Sequence, residues 1–259
     1  MVIPINTFTI HNIFGFMVAG SLAVTFYIVY IKSGRHLLDL LSANFLFCAA
    51  MMCLASFLSD NVVPAGMSTR GWPNGPTAGD LAYSTLFYHR FNWAFAVLTI
   101  PTQLHFVLRY CDCRGFLLRN IRWVYVVACL AAPLVWTPMW FTVAAAPLAE
   151  TSSWHVAIPW IPDVGFPLLP FTLTWYWLLV YSVVRLWQAN RRQSISSSES
   201  LMQRGLVLTA FVIQLVLGVA DLVFVLVGYS GISLVPLGAI PMGILLTIAL
   251  TRSRMAADR

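Results

Sequence analysis

Few residues in this 259-residue chain could do chemistry: nine acids, five histidines, five cysteines and one lysine, Lys32. They form no HExxH pair, no paired catalytic acids and no phosphate-cradling glycine loop. Lys32 ends the first apolar segment, so a Schiff base in the last one is excluded. Gly228-Tyr229-Ser230-Gly231 has the GxSG form of a rhomboid-type intramembrane nucleophile, but no histidine follows His155 to serve as its base. The two glycines read as a turn. Cys111-Asp112-Cys113 offers a metal or lipid attachment point, or simply two thiols in a reducing compartment. His89 and His105 are 16 residues apart, which turns them roughly 160° from each other on a helix, so one helix cannot present both to a pair of haems. No catalytic residue, metal ligand or cofactor is expected, with a single haem as the alternative, and the chain is read as a protein that is not an enzyme.

Two charges fall inside apolar stretches, Arg90 and Asp221. Each alone would cost roughly 2.5–3.5 kcal/mol at a bilayer centre. Opposite sign at equal depth predicts a structural ion pair, with His89 as the competing partner of Asp221. The pair serves either as a staple or as a switch and ligand anchor. Around Arg90, the residues His89, Asn92, Ala96, Thr99 and Gln103 fall within an arc of about 80° on a helix. That polar, small-residue stripe either packs on other helices or lines a cavity, and in both cases it faces the bundle interior.

The elements that position these groups follow from composition. Only 9% of the residues are charged, 59% are hydrophobic and the mean hydropathy is +0.80. A soluble domain carries about a quarter charged residues, so the bilayer must be part of this chain's solvent. Seven apolar segments have helical spanning length: Thr9–Ile31, Leu37–Leu58, Ala82–Arg109, Ile121–Phe141, Pro167–Gln188, Gly205–Val227 and Ile232–Thr251. They do not alternate as barrel strands would. The expected fold is therefore all-α: a single domain over residues 1–259, a polytopic seven-transmembrane-helix bundle.

Lys32, Arg35, Arg114, Arg119, Arg191, Arg192, Arg204, Arg252, Arg254 and Arg259 flank one set of segment ends, against Arg70 alone on the other. This puts the N-terminus outside and the C-terminus in the cytoplasm. The net charge of +6 favours anionic lipid heads and gives no basic domain for nucleic acid. "MVIPINTFTIHN" lacks the basic start and cleavage site of a signal peptide, so the first segment is expected to stay. Ser59–Leu81 and Thr142–Phe166, rich in Gly, Pro and Trp, read as long outer loops over the bundle. Ser196 and Glu199 have capping-box spacing, which starts the sixth helix near Ser197.

Trp93, Trp136, Trp140, Trp175, Tyr176 and Trp177 gather at the outer level and exceed what an interfacial belt needs. The predicted site is an outer-half chamber lined by His89, Asn92, Trp93, Thr172, Trp175, Tyr176 and Asp221, suited to a small flat or amphipathic molecule.

Pro101–Tyr110 reads "PTQLHFVLRY". Gln103 belongs to the inward stripe, and Pro101 frees backbone groups for polar side chains to satisfy. His105 and Arg109 are placed at the cytoplasmic headgroup level, His105 as a packing residue or a proton sensor. His105, Phe106 and Leu108 match an apolar–His–Phe–x–Leu run. With "LWQANRRQ", "LGVADLVF" and "LVPLGAIPMGILLTIAL", the chain resembles the seven-helix N-terminal sensor region of bacterial histidine kinases and related receptors. The resemblance implies a multi-pass protein of the bacterial inner membrane. It would bind a ligand or sense the membrane state and, with about nine residues after the last helix and hence no output domain expected, relay to a separate protein partner at the cytoplasmic face. A haem-carrying or redox accessory subunit and a structural subunit of a membrane complex are the alternatives.

Overall fold

The computed structural model describes residues 10–32, 36–68, 78–142, 163–164, 168–192, 198–226 and 235–257. Their helices are α1 (Ile10–Lys32), α2 (Leu37–Ser68), α3 (Ala78–Tyr110), α4 (Phe116–Arg119), α5 (Ile121–Leu134), α6 (Leu168–Arg192), α7 (Ser198–Leu226) and α8 (Val235–Ala257). A two-residue antiparallel pair, β1 (Phe141–Thr142) with β2 (Asp163–Val164), sets Phe141 opposite Val164. All seven predicted segments are helical, the fourth to seventh as α5 to α8, and α4 is a one-turn addition.

Among the described residues, four helices are long and apolar enough to cross a membrane by length and composition, with spans Ile10–Lys32, Leu37–Leu58, Leu86–Tyr110 and Met202–Ala220. Shorter apolar stretches cover Ile121–Leu134 and Ile240–Thr251. Two boundaries differ from the sequence reading. The predicted loop Ser59–Leu81 is largely helix: α2 continues through Pro64 and Gly66 to Ser68, and α3 already begins at Ala78. One proline near a helix end removes one hydrogen bond, too little to stop a helix that already has 27 residues behind it. The fourth segment ends early, at Leu134 rather than Phe141. Pro133 takes out a donor, and Pro138 disfavours helix for Thr137, so the chain leaves through i→i+3 turns, Trp136 N–H to Pro133 O at 3.1 Å and Thr137 N–H to Leu134 O at 3.0 Å.

α1 packs on α2 and α8, α2 also on α3 and α8, α3 on α5 and α6, and α7 on α6 and α8. The contacts α1–α2–α3–α6–α7–α8–α1 close a ring, and α5 lies against α3. On α1 the buried residues Asn12, Gly15, Ala19, Ala23 and Phe26 recur at spacings of three and four, forming one stripe of mostly small side chains. Small side chains let backbones approach where lipid offers no hydrophobic drive between helices. The opposite face of α1, with Phe14, Met17 and Val24, is exposed, as a lipid-facing surface should be. On α8, a Cβ at Gly243 would sit 2.8 Å from Leu22 Cδ1 and 3.1 Å from Leu46 Cδ2, so any larger residue there must displace those side-chain ends where α1, α2 and α8 meet.

α3 ends in a Schellman motif. Cys113 N–H reaches Leu108 O at 2.9 Å and Asp112 N–H reaches Arg109 O at 3.1 Å, with Asp112 left-handed at φ 46°. Cys113 joins Leu108 in one apolar cluster, the contact that usually accompanies this cap. An aspartate in the left-handed region is strained, and its charge opposes the helix dipole. Asp112→Gly is expected to stabilise the protein by about 1 kcal/mol, read as a higher melting temperature in detergent. An unchanged or lower value would contradict this cap assignment.

Candidate functional site

The polar stripe of α3 faces inward. Ala96, Thr99 and Gln103 are buried, and Asn92 Nδ2 donates to Ser56 Oγ on α2 at 2.8 Å. Pro101 leaves carbonyls of the preceding turn without their usual donor, and hydroxyls fill in around it. Thr102 Oγ1 lies 2.8 Å from Thr99 O and 3.4 Å from Leu98 O, and Thr99 Oγ1 donates to Ala96 O at 2.6 Å.

On the neighbouring face of α3, Trp93 Nε1 donates to His89 Nε2 at 3.1 Å, which places the histidine proton on Nδ1. The Trp93 ring packs edge-on against Phe171 of α6 with centroids 5.6 Å apart. Phe171 also meets Trp140 at 5.7 Å and Trp175 at 6.3 Å, which makes it the centre of an aromatic nest built by α3, α6 and the turns after α5. Trp175 Nε1 is buried there with no hydrogen-bond partner among the described residues. A buried donor left unmade costs about 1–3 kcal/mol, so this N–H is where an acceptor would be most welcome. Tyr176 reaches the other way: its hydroxyl donates to Gly218 O of α7 at 2.7 Å. A Cβ at Gly218 would lie 3.5 Å from Tyr176 Cε1, an ordinary contact, so the ring packs closely on α7 there.

The predicted site residues thus divide. Trp93 and Trp175 share the nest, with His89 bonded at its edge and Thr172, half-buried, next to Phe171 in the chain. Asn92 is turned to α2 and Tyr176 to α7. Asp221 belongs to the α7 backbone one turn beyond Gly218; its side chain, and with it the predicted pair with half-buried Arg90, lies outside the described residues. Of the wider aromatic set, Trp136 packs on Phe87 at 5.1 Å, while Trp177 is 57% exposed and stacks on Tyr181, away from the nest. Trp154, His155 and Trp160, from the second long loop, and the turn Gly228–Gly231 lie outside the described residues. Phe171 is the residue the sequence reading missed, though its spacing of four from Trp175 puts both on one helix face.

At the other end of α3, His105 is half-buried. Its ring lies edge-on to Tyr125 of α5 with centroids 5.9 Å apart, Nδ1 is 3.4 Å from the hydroxyl, and Nε2 is buried. α5 crosses α3 there and covers the imidazole. Burial pushes the Cys111 thiol up to about 12, Cys113 adds to the rise, and Arg185 and Arg204 oppose it. At neutral pH that thiol stays protonated, which makes it a weak nucleophile and a weak metal ligand.

A ring of long apolar helices with polar groups turned inward defines a multi-pass membrane protein. Residues 77–257 match the family model of the N-terminal 7TM region of histidine kinase, and the chain belongs to that family. No curated protein matches it.

Proposed function

We propose that the chain is a sensor module of the bacterial inner membrane, with its N-terminus outside and its C-terminus in the cytoplasm. In this reading it does no catalysis. It binds a small flat or amphipathic molecule in the half of the bundle nearer the α3 N-terminus and relays occupancy to a separate protein at the cytoplasmic face. The observation that carries this is the Trp175 indole N–H, buried in an aromatic nest with no acceptor among the described residues. An apolar pocket with one convergent polar group is the usual form of a site for such ligands. Family membership supplies the sensing context. α3 supplies a route, since it runs from the nest past Pro101 to the arginine-rich end.

The test uses 1,4-naphthoquinone, a flat molecule with two acceptor oxygens, on protein in lipid nanodiscs. Wild type should gain several degrees of melting temperature, and Trp175→Phe should lose most of that gain, because the hydrogen bond is worth about 1 kcal/mol. An equal gain in the variant would mean partitioning into lipid and would contradict the site. The same preparation should show no Soret band; its presence would move the reading to a haem-carrying subunit.

A further inference from the structure

The α3 C-terminal end carries an arginine-rich aromatic edge that ligand sensing does not use. α4, the start of α5 and the end of α6 meet there: Leu117, Leu118, Ile121 and Tyr181 pack on one apolar cluster around Leu104, Leu108 and Leu178. Around this cluster, guanidinium groups stand over rings. The Arg122 carbon is 5.7 Å from the Trp123 centroid, Arg185 is 5.2 Å from Tyr181, and Arg191 is 4.3 Å from Trp187. Arg185 also donates Nε–H to the Tyr181 hydroxyl at 3.1 Å. Arg114 and Arg119 add exposed positive charge. Among the described side chains of this edge the one acid is Asp112, 3.6 Å from Arg114. Phe116, 73% exposed, and Trp123, 56% exposed, hold apolar rings outward beside the same charges.

A guanidinium over a ring can still present N–H groups in the fork that fits a phosphate. Arg185 already directs Nε to Tyr181 and Nη1 to Gln188 Oε1 at 3.5 Å, which fixes its head. Rings at the same level match the glycerol and upper acyl region of a lipid. An acidic peptide would meet the arginines but leave Phe116 and Trp123 without apolar cover. We propose that the edge formed by α4, the start of α5 and the end of α6 is a binding site for the headgroups of anionic phospholipids in the leaflet it faces. This rests on the helices crossing a bilayer and is independent of any ligand in the nest.

The experiment compares full-length protein in phosphatidylcholine nanodiscs with and without phosphatidylglycerol. Phosphatidylglycerol should raise the melting temperature by several degrees. Combined Arg122→Gln, Arg185→Gln and Arg191→Gln should lose more than half of that rise. Combined Lys32→Gln, Arg35→Gln and Arg252→Gln removes equal charge from the ends of other segments and should keep most of it. If the triple variant does not fold, Arg122→Gln alone, at an exposed position, should still lose a measurable part. Equal losses in the two sets would mean diffuse attraction and overturn the site. So would the absence of any rise in wild type, or a rise reproduced by soluble glycerol phosphate without phosphatidylglycerol.

Discussion

Gly243→Phe is expected to abolish most of the folded yield in detergent, or to lower stability by about 3 kcal/mol where folded protein survives. Even a methyl group at this position meets Leu22 Cδ1 at 2.8 Å and Leu46 Cδ2 at 3.1 Å. A phenyl ring would have to part α1 and α2 from α8, and those contacts close the helical ring. Leu22 can yield by turning its side-chain end, so Gly243→Ala should cost less, and adding Leu22→Ala should recover part of that cost. Gly205 provides the control: nothing lies within 4 Å of a Cβ there, and Gly205→Ala should be neutral or slightly stabilising in the interior of α7. If Gly243→Phe were tolerated as well as Gly205→Ala, the packing of α8 against α1 and α2 would be wrong.

Removing either Arg90 or Asp221 is the second large effect. We expect Arg90→Leu or Asp221→Leu alone to cost about 3–5 kcal/mol, because each leaves the opposite charge alone at membrane depth. The double change should recover part of the loss, since two apolar side chains need no partner. The geometry is favourable in one respect: Asp221 follows Gly218 by one turn, and Gly218 is held to Tyr176 on α6, the helix whose Phe171 meets Trp93 of α3. A double variant that loses as much as the two singles together would contradict pairing.

Bilayer length made the helices legible. About 20 apolar residues are needed to span, and each of the seven segments contains a helix. Helix ends outside that rule were not legible, because nothing about lipid says where a helix stops in water. α2 therefore runs ten residues past Leu58. The α3 terminus was hidden for another reason: its left-handed residue is Asp112, where a glycine would have announced the turn. In the site, the inward direction of Ala96, Thr99 and Gln103 followed from helical period alone. The same period could have separated Trp175 from Trp177, since two positions turn a helix by roughly 200° and only one can face the nest. Which neighbour each residue meets was beyond the sequence. Asn92 and Trp93 are adjacent in the chain, yet one bonds Ser56 of α2 and the other packs on Phe171 of α6. His105 likewise gives no sign in its own segment that Tyr125 covers it.

In a sensor of this orientation the aromatic nest and the arginine edge lie at opposite faces of a membrane, nest outside. Single cysteines tested in cells on a background without the five native thiols measure this directly. Gly75→Cys, in the segment between α2 and α3, should react with an impermeant maleimide added to intact cells, and Ser197→Cys, just before α7, should react only after the cells are opened. Labelling of Ser197→Cys from outside with Gly75→Cys protected would invert the protein and contradict the sensor reading.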